Sequence, residues 1–274
     1  GSLAVLAEAC DELGIRALLC YGATERNFGI EEARRGLAEC RRLPASLLTR
    51  GMVGLHASFT VSDETLREAG ELARDLGTAV HVHVAEDLAD VADARARGAR
   101  GPLERMLALD ALPPGSVLAH GVHLGREEVE LASSAGLWLV QNPRSNEGNR
   151  VGYPRFLGHA RRVALGTDGW DADMGAEESA LFRLAAAHGD EKAAGRLAAG
   201  QALVAEAFGA ARSPLAPGSL GDVVVRERGV VRHVVVDGRV VVRDGRLQAA
   251  DMAAVAVASE SEARRLWGRM AEVA

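Results

Sequence analysis

The sequence predicts an α/β protein built around a parallel β/α barrel, and three observations carry this prediction. Short apolar segments alternate with helical ones from the start of the chain to about residue 208, which is typical of parallel strands with both faces covered. Six such strands are recognisable, a number that also suits an open doubly wound sheet. No glycine-rich phosphate loop follows any of them, which weakens the dinucleotide-binding version of that sheet. The predicted strands cover residues 16–22, 52–56, 79–84, 116–120, 137–141 and 163–168.

Apolar side chains at helical spacing separate these strands. The third helix begins where either Asp63 or Ser62 can cap its amino end. The predicted helices cover residues 3–13, 31–43, 63–76, 87–98, 102–110, 126–135, 176–188 and 192–208.

The pattern changes after residue 208, where prolines and glycines interrupt the chain. Valine-rich segments follow at 222–225, 231–236 and 239–243, with a hairpin turn at Asp237-Gly238. An amphipathic helix over 252–272 ends the sequence. We therefore expect a barrel domain over residues 1–208, a small antiparallel unit over 209–246 and a terminal helix within 247–274.

Composition excludes several functional classes. The chain has 274 residues, is 48% hydrophobic and 26% charged, and carries a net charge of −6, so nothing indicates a surface for nucleic acid or an anionic membrane. No apolar stretch approaches the roughly 18–20 residues of a membrane span, and no signal-peptide pattern opens the chain. The three scattered cysteines predict reduced thiols in a cytoplasmic protein.

Polar residues mark the carboxyl-terminal ends of the predicted strands. They are His56, His83, His120, Asn142 and Asp168, one at the end of each of the last five strands. Active sites of parallel β/α barrels lie at this carboxyl-terminal rim, because loops from every strand converge there. The sequence therefore predicts a site built from these side chains.

The third strand supplies a further argument. His81 and His83 share one face while the intervening valines point to the other. Glu86 follows just past the strand, where a carboxylate can reach water bound to a metal held by His83. Asp168 ends a buried strand and needs a metal or a cation as partner. His81 is better interpreted as a packed interior histidine, His123 as a loop residue, and His159, His188 and His233 as surface or structural residues.

Five motifs together resemble the amidohydrolase superfamily, in particular its aminohydrolase branch of deaminases and chlorohydrolases. They are Gly54-Leu-His-Ala-Ser-Phe-Thr60, His81-Val-His-Val-Ala-Glu86, Leu118-Ala-His-Gly-Val-His-Leu124, Gln141-Asn-Pro-Arg-Ser-Asn146 and Leu165-Gly-Thr-Asp-Gly169. The run at 236–245 is similar to the end of that family's β-sandwich domain. The resemblance implies a TIM-type (β/α)8 barrel of which the six predicted strands are the third to eighth, with a remnant of the sandwich.

The resemblance also implies roles for individual residues. His83 and Asp168 would bind one divalent metal, Zn²⁺ or alternatively Fe²⁺, while Glu86 shuttles protons. His120 would polarise the attacking water or the developing oxyanion, so that the expected catalytic residues are Glu86, His120 and Asp168. The residues expected to contact the substrate are His56, Asn142, Arg144, Ser145, Asn146 and Trp170.

One family feature is missing from the printed sequence. The family's first strand carries a His-x-His pair of metal ligands, and no histidine precedes His56. We therefore expect the first two barrel strands and part of the sandwich to be missing from this chain, and we expect the chain alone to hold metal poorly. The short link from Val225 to Val231 indicates that residues are missing there too.

These observations favour an aminohydrolase that attacks a ring carbon of an amino-heterocycle with metal-activated hydroxide and releases ammonia. Two alternatives stay open: a metal-free barrel acting as a structural or binding subunit, and hydrolysis of a C–Cl or C–S bond on a similar ring. A lysine-bridged binuclear site is disfavoured, because the single lysine, Lys192, lies in a distant predicted helix. The expected partners are a small heterocyclic substrate and a second copy of the chain in a homodimer, without nucleic acid or membrane.

Overall fold

The computed structural model describes residues 2–43, 45–211 and 215–273. Up to residue 207 helices and strands alternate, as predicted. The elements are α1 (Ser2–Leu13), β1 (Ala17–Leu19), α2 (Ile30–Arg42), β2 (Thr49–Gly51), β3 (Val53–Ala57), α3 (Asp63–Asp75), β4 (Val80–Val84), α4 (Leu88–Ala96), α5 (Pro102–Ala108), β5 (Val117–His120), α6 (Arg126–Ser134), β6 (Trp138–Gln141), α7 (Pro143–Gly148), β7 (Val163–Leu165), α8 (Met174–His188) and α9 (Arg196–Ala207).

The strands form a partial barrel with parallel pairing. Strands β3 to β7 lie side by side in chain order, and β1 pairs in parallel with β2. A single bridge between Ala23 and Leu55 connects the two groups. The parallel α/β prediction is confirmed. Strand β2 and helix α7 were not predicted. Strand β1 ends at Leu19 and β7 ends at Leu165, before the predicted ends of these strands at residues 22 and 168.

Each face of the sheet has its own apolar core. Val80, Val82 and Val84 are at most 1% exposed and pack in a cluster with side chains of the outer helices, such as Leu66 and Leu72 of α3. A second cluster covers the other face and contains Met52, Val117, Trp138 and Ala164, packed against Ala199, Ala202 and Leu203 of α9. His81 and His83 project to the face opposite the valines, as the alternation predicts.

The amino end of α3 shows how tertiary contacts decide between two local options. The Ser62 hydroxyl accepts a hydrogen bond from the Thr65 N–H at 3.3 Å and caps the helix. Asp63 is the first helical residue, and its carboxylate pairs with the buried guanidinium of Arg105 at 2.7 Å. Of the two predicted caps, Ser62 is therefore the one used.

The remaining elements form a small antiparallel sheet and a long helix. They are β8 (Val223–Glu227), β9 (Val230–Val236), β10 (Arg239–Arg243), β11 (Arg246–Leu247) and α10 (Met252–Val273). A turn at Arg228-Gly229, with φ of 50° and 85°, joins β8 directly to β9, so the short link forms a hairpin, whose register shifts between Val225 and Arg226. None of the described helices combines the length and apolarity that a membrane span requires.

The sheet is attached to the amino-terminal end of β1. The Arg16 guanidinium, only 7% exposed, pairs with the Asp222 carboxylate at 2.6 Å. Asp222 also accepts the Asp237 N–H at 2.8 Å. The hydrogen bond from Arg16 holds the pKa of Asp222 below its ordinary value. The guanidinium further stacks on the Phe208 ring, 4.7 Å from its centroid, so this contact fixes where the small sheet begins.

Candidate active site at the carboxyl-terminal rim

Side chains from three strand ends converge at one rim of the partial barrel. His83 lies near the end of β4, His120 is the last residue of β5, and Asp168 follows β7. Each of the three has a possible ligand atom within 4.8 Å of the others. The parallel register sets this meeting, because His83 lies beside Ala119 and Val84 beside His120. The structure thus brings together the residues that the sequence predicted as metal ligands and water-polarising base.

A group of imidazoles surrounds His83. Its ring lies 5.7 Å from that of His56 and 5.3 Å from that of His120, measured between centroids. Burial lowers the pKa of His83, and the neighbouring His120 lowers it further. The pKa of His56 is also lowered, mainly by burial. Both rings are therefore neutral near pH 7, which is the form that binds a divalent metal.

His81 has a different environment from His83. Its Nδ1 lies 3.4 Å from the Cys20 sulfur, and burial lowers its pKa to about 4. It is therefore a neutral imidazole packed against the inner side of β1. This agrees with its interpretation as an interior histidine.

Three residues at the rim have a strained backbone conformation. Ala85, His120 and Asp168 all have left-handed conformations, with φ of 48°, 72° and 54°. Each such residue costs on the order of 1–2 kcal/mol compared with ordinary conformations. Positions with this strain occur preferentially in functional sites, where the surrounding structure holds them.

His120 is buried and only partly satisfied. It is 1% exposed, and its Nδ1 lies 2.8 Å from the Asn146 amide oxygen. Since that oxygen accepts, Nδ1 carries a proton in this arrangement. Nε2 lies 3.5 Å from Glu86 Oε2 and 4.0 Å from Asp168 Oδ2, and the described residues offer it no hydrogen bond. A buried, unpaired nitrogen facing two carboxylates fits a site for a cation or a water.

Helix α7 holds the two carboxylates. The Ser145 hydroxyl donates to Asp168 Oδ2 at 2.5 Å. Asn149, directly after the helix, donates from Nδ2 to Glu86 Oε1 at 3.1 Å. Sequence reasoning identified Ser145 and Asn146 but missed Asn149, because no local pattern distinguishes an asparagine at a helix end from an ordinary loop residue.

A buried carboxylate supports the turn that carries Glu86. Asp90 is 2% exposed and accepts the Ala85 N–H at 2.7 Å and the Ser58 hydroxyl. Burial raises the pKa of Asp90. Asp90 thereby joins the turn after β4 to the one after β3. Its role could not be predicted from the local sequence, since an aspartate in the first turn of a helix is common.

Three predicted substrate residues have mainly protein partners in this structure. The Arg144 guanidinium pairs with Glu177 at 2.5 Å and Asp171 at 2.6 Å, and it lies 6.0 Å from the Trp170 ring centroid. Asn142 is 3% exposed. With its amide oxygen and nitrogen exchanged, the nitrogen donates to the Gln141 and Val140 carbonyls. Trp170 is half exposed. Their contact with substrate stays a prediction.

The other histidines lie outside this cluster. His188 stacks on the Tyr153 ring with centroids 4.5 Å apart, and His233 lies 3.8 Å from the exposed Asp244 carboxylate. His159 lies 6.4 Å from Phe156. These positions agree with structural or surface roles.

Curated relatives named as deaminases match part of the chain. A 5'-deoxyadenosine deaminase from Methanoregula boonei is 34% identical over 176 residues, which cover 60% of this chain and 39% of the relative. A 5-methylthioadenosine/S-adenosylhomocysteine deaminase from Thermoanaerobacter pseudethanolicus is 32% identical over 173 residues, covering 60% and 40%. The chain thus spans about 40% of the length of these relatives. It matches a 5'-deoxyadenosine deaminase from Methanothermobacter thermautotrophicus at 27% identity, over 96% of this chain and 70% of the relative.

Solved structures share the fold. A zinc-bound adenosine deaminase from Xanthomonas campestris superposes with a TM-score of 0.83 at 23% identity, covering 97% of this chain and 70% of the other. A zinc complex of atrazine chlorohydrolase from Arthrobacter aurescens gives a TM-score of 0.68 at 20% identity, covering 93% and 67%. Both comparisons support a barrel of the TIM type.

The family itself follows from the sequence profile. The profile of the amidohydrolase family matches residues 2–241, which include both the rim residues and the strands of the small sheet up to β10. The resemblance inferred from five short motifs is confirmed over most of the chain. The protein belongs to the amidohydrolase family.

Proposed function

We propose that the protein is a metal-dependent aminohydrolase that replaces an amino group on a heterocyclic ring by oxygen and releases ammonia. The observation that carries the proposal is the convergence of His83, His120 and Asp168 within 4.8 Å, with the Glu86 carboxylate 3.5 Å from His120. This arrangement combines ligands for a cation with a proton-transferring group at one rim. The deaminases among the relatives support the same reaction class.

The donor set fits a divalent metal, and we propose zinc. His83 and Asp168 would hold the ion, since imidazole nitrogen and carboxylate oxygen are ordinary ligands of Zn²⁺. The unpaired Nε2 of His120 and the neutral state of the His83 ring support a cation in this place. Zinc, when bound, supplies a Lewis acid and lowers the pKa of water. Fe²⁺ has compatible ligands and is distinguished by reconstitution.

The chain's own residues would move the protons. Glu86 Oε2 faces the centre of the cluster and can take a proton from the attacking water and deliver it to the ring nitrogen. It can then take the proton of the added hydroxyl and deliver it to the departing amine. The lone pair of His120 Nε2 would accept a hydrogen bond from the same water and orient it. Asn146 keeps His120 in the tautomer that this role requires.

For the substrate we propose adenosine derivatives altered at the 5′ position. The two deaminases described above act on 5'-deoxyadenosine, 5-methylthioadenosine or S-adenosylhomocysteine, and their identity to this chain exceeds 30%. His56, Asn142, Arg144, Ser145, Asn146 and Trp170 are the residues proposed to contact the substrate. The proposed assembly is a homodimer, which light scattering of the purified protein tests.

The experiment is an ammonia-release assay with the full-length protein after loading with zinc or iron and measurement of metal content. The panel contains adenosine, 5'-deoxyadenosine, 5-methylthioadenosine and S-adenosylhomocysteine, with atrazine in a chloride-release arm. We expect a bound metal in each protomer and ammonia from at least one adenosine derivative. Chloride release alone would favour the chlorohydrolase alternative. Absence of both metal and turnover after reconstitution would favour the metal-free subunit.

A further inference from the structure

We propose that Asn149 is a positioning residue that holds one oxygen of the Glu86 carboxylate so that the other faces His120. This inference rests on the proposed function, because Glu86 is the proton-transferring group there. Asn149 belongs to none of the motifs that identify the family. None of its described hydrogen bonds reaches His83 or His120; its side chain donates to Glu86 at 3.1 Å and lies 3.4 Å from the Ser145 hydroxyl.

The two oxygens of Glu86 have different partners. Oε1 accepts a hydrogen bond from Asn149 Nδ2 at 3.1 Å. Oε2 lies 3.5 Å from His120 Nε2. The Glu86 side chain is 29% exposed, and a partly exposed glutamate has several rotamers available. A donor on one oxygen selects the rotamer in which the second oxygen points into the cluster.

Asn149 is itself fixed by the helix that it follows. Its N–H donates to the Ser145 carbonyl at 2.8 Å, and this main-chain bond closes the last turn of α7. Its Nδ2 lies 3.4 Å from the Ser145 hydroxyl, which donates to Asp168 at 2.5 Å. A continuous path of hydrogen bonds therefore connects Glu86 after β4 with Asp168 after β7.

This path would hold the partly exposed Glu86 carboxylate in place relative to the Asp168 carboxylate, which follows another strand. Proton transfer requires donor and acceptor within hydrogen-bond distance, and misplacement by about 1 Å costs up to about 100-fold in rate. Asn149 would set that distance for Glu86 without contacting the reacting atoms.

The test compares three variants of the full-length, metal-loaded protein. Asn149→Ala removes the donor. Asn149→Asp keeps the size but replaces the amide donor by a carboxylate that repels Glu86. Glu147→Gln is the matched control, because Glu147 lies on α7 close to Asn149 but does not contact Glu86. The substitution removes an exposed ion pair, at 2.6 Å, with Arg183 of α8.

We expect both Asn149 variants to lower kcat by about 10- to 100-fold, while KM and metal content stay at the wild-type values. Glu147→Gln should leave kcat and KM unchanged. Thermal melting measures any loss of helix stability separately. In crystal structures, Glu86 should keep its contact with position 149 in the wild type and turn away from His120 in Asn149→Ala.

The outcomes separate this inference from the proposed function. An inactive wild type would reject the proposed function, and the orientation of Glu86 in the two crystal structures would still decide the role of Asn149. Unchanged kcat in Asn149→Asp, or an unchanged Glu86 in the Asn149→Ala crystal, would overturn the inference. A raised KM with wild-type kcat would also overturn it, since it would make Asn149 a substrate contact.

Discussion

The two ends of the barrel strands use the same unusual backbone conformation for different purposes. Before β4 and β5 the left-handed positions are occupied by Gly77 and Gly115, with φ of 61° and 86°. At the carboxyl-terminal end they are occupied by Ala85, directly after β4, and by His120, the last residue of β5, with φ of 48° and 72°; Gly121 follows with φ of 61°. Glycine takes this conformation without penalty, whereas residues with a Cβ do not.

The two ends also differ in how completely their buried polar atoms are hydrogen-bonded. At the amino-terminal end, buried Ser116 accepts the Val80 N–H at 3.1 Å and donates to the Pro113 carbonyl at 2.7 Å. At the carboxyl-terminal end, His120 Nε2 and Asn146 Nδ2 are buried without a partner among the described residues. At the carboxyl-terminal end, strained residues with a Cβ and buried unpaired polar atoms therefore lie together, where a ligand would bind.

Among the substitutions that test this difference between the two ends, Asp168→Ala should have the largest effect on metal binding and activity. The variant removes a proposed metal ligand and leaves His83 as the remaining one from this pair. We expect metal affinity to fall by more than the roughly 10- to 100-fold typical of outer partners, and ammonia release to fall with it. Elemental analysis after dialysis measures the metal. Full retention of metal would show that Asp168 is not a ligand.

Glu86→Gln should have the next largest effect. The amide keeps the shape of the side chain but cannot carry the proton, so kcat should fall by roughly 10²–10⁴-fold. Metal content should be unchanged, because Glu86 is not a proposed ligand. Steady-state kinetics with metal analysis of the same sample checks both statements, and an unchanged kcat would remove Glu86 from its role.

Asp222→Asn probes the amino-terminal end, where the small sheet is attached. Losing the charged hydrogen bond with Arg16 should cost about 1.5–3 kcal/mol without changing kcat. Because the native pKa of Asp222 is depressed, its contribution is present above the ordinary pKa of the side chain and decreases as the pH falls toward the native pKa. Urea unfolding between pH 6 and 3, values chosen around the ordinary pKa of about 3.9, should be less pH-dependent in the variant. Equal pH dependence in both proteins would contradict this.

The smallest effect is expected from exchanging residue types between the two ends. A Cβ at Gly77 meets no atom within 4 Å, so Gly77→Ala tests backbone strain alone and should destabilise the protein by about 1–2 kcal/mol. The reverse change, Ala85→Gly, should alter stability by less than about 1 kcal/mol, because relief of strain is offset by chain entropy and by the loss of a buried methyl group. Thermal unfolding of both variants measures these differences. Stabilisation by Gly77→Ala would contradict the role assigned to strain.

Sequence reasoning predicted the rim best where one local pattern determined the geometry. Strand β4 alternates valine and histidine, so the face of His83 and the position of Glu86 follow from the period of a strand. The predicted strand 163–168 was too long, because Gly166 leaves the sheet and Asp168 adopts a left-handed conformation. Apolar residues alone do not show such a turn.

The missed features depend on contacts between distant residues. Strand β2 has three residues and α7 has six, too few for either period to be recognised. Asn149 and Asp90 acquire their roles from partners on other elements. The individual roles of the site residues, the domain boundaries and the expected His-x-His pair stay predictions.

The short helix α7 has a consequence for how variants of this site combine. Ser145, Asn146 and Asn149 touch Asp168, His120 and Glu86, respectively, so one turn of backbone sets the mutual placement of groups from separate strands. A displacement of that turn moves all of them at once. Substitutions at Ser145, Asn146 and Asn149 are therefore coupled through a shared support, and their energetic effects are not independent of one another.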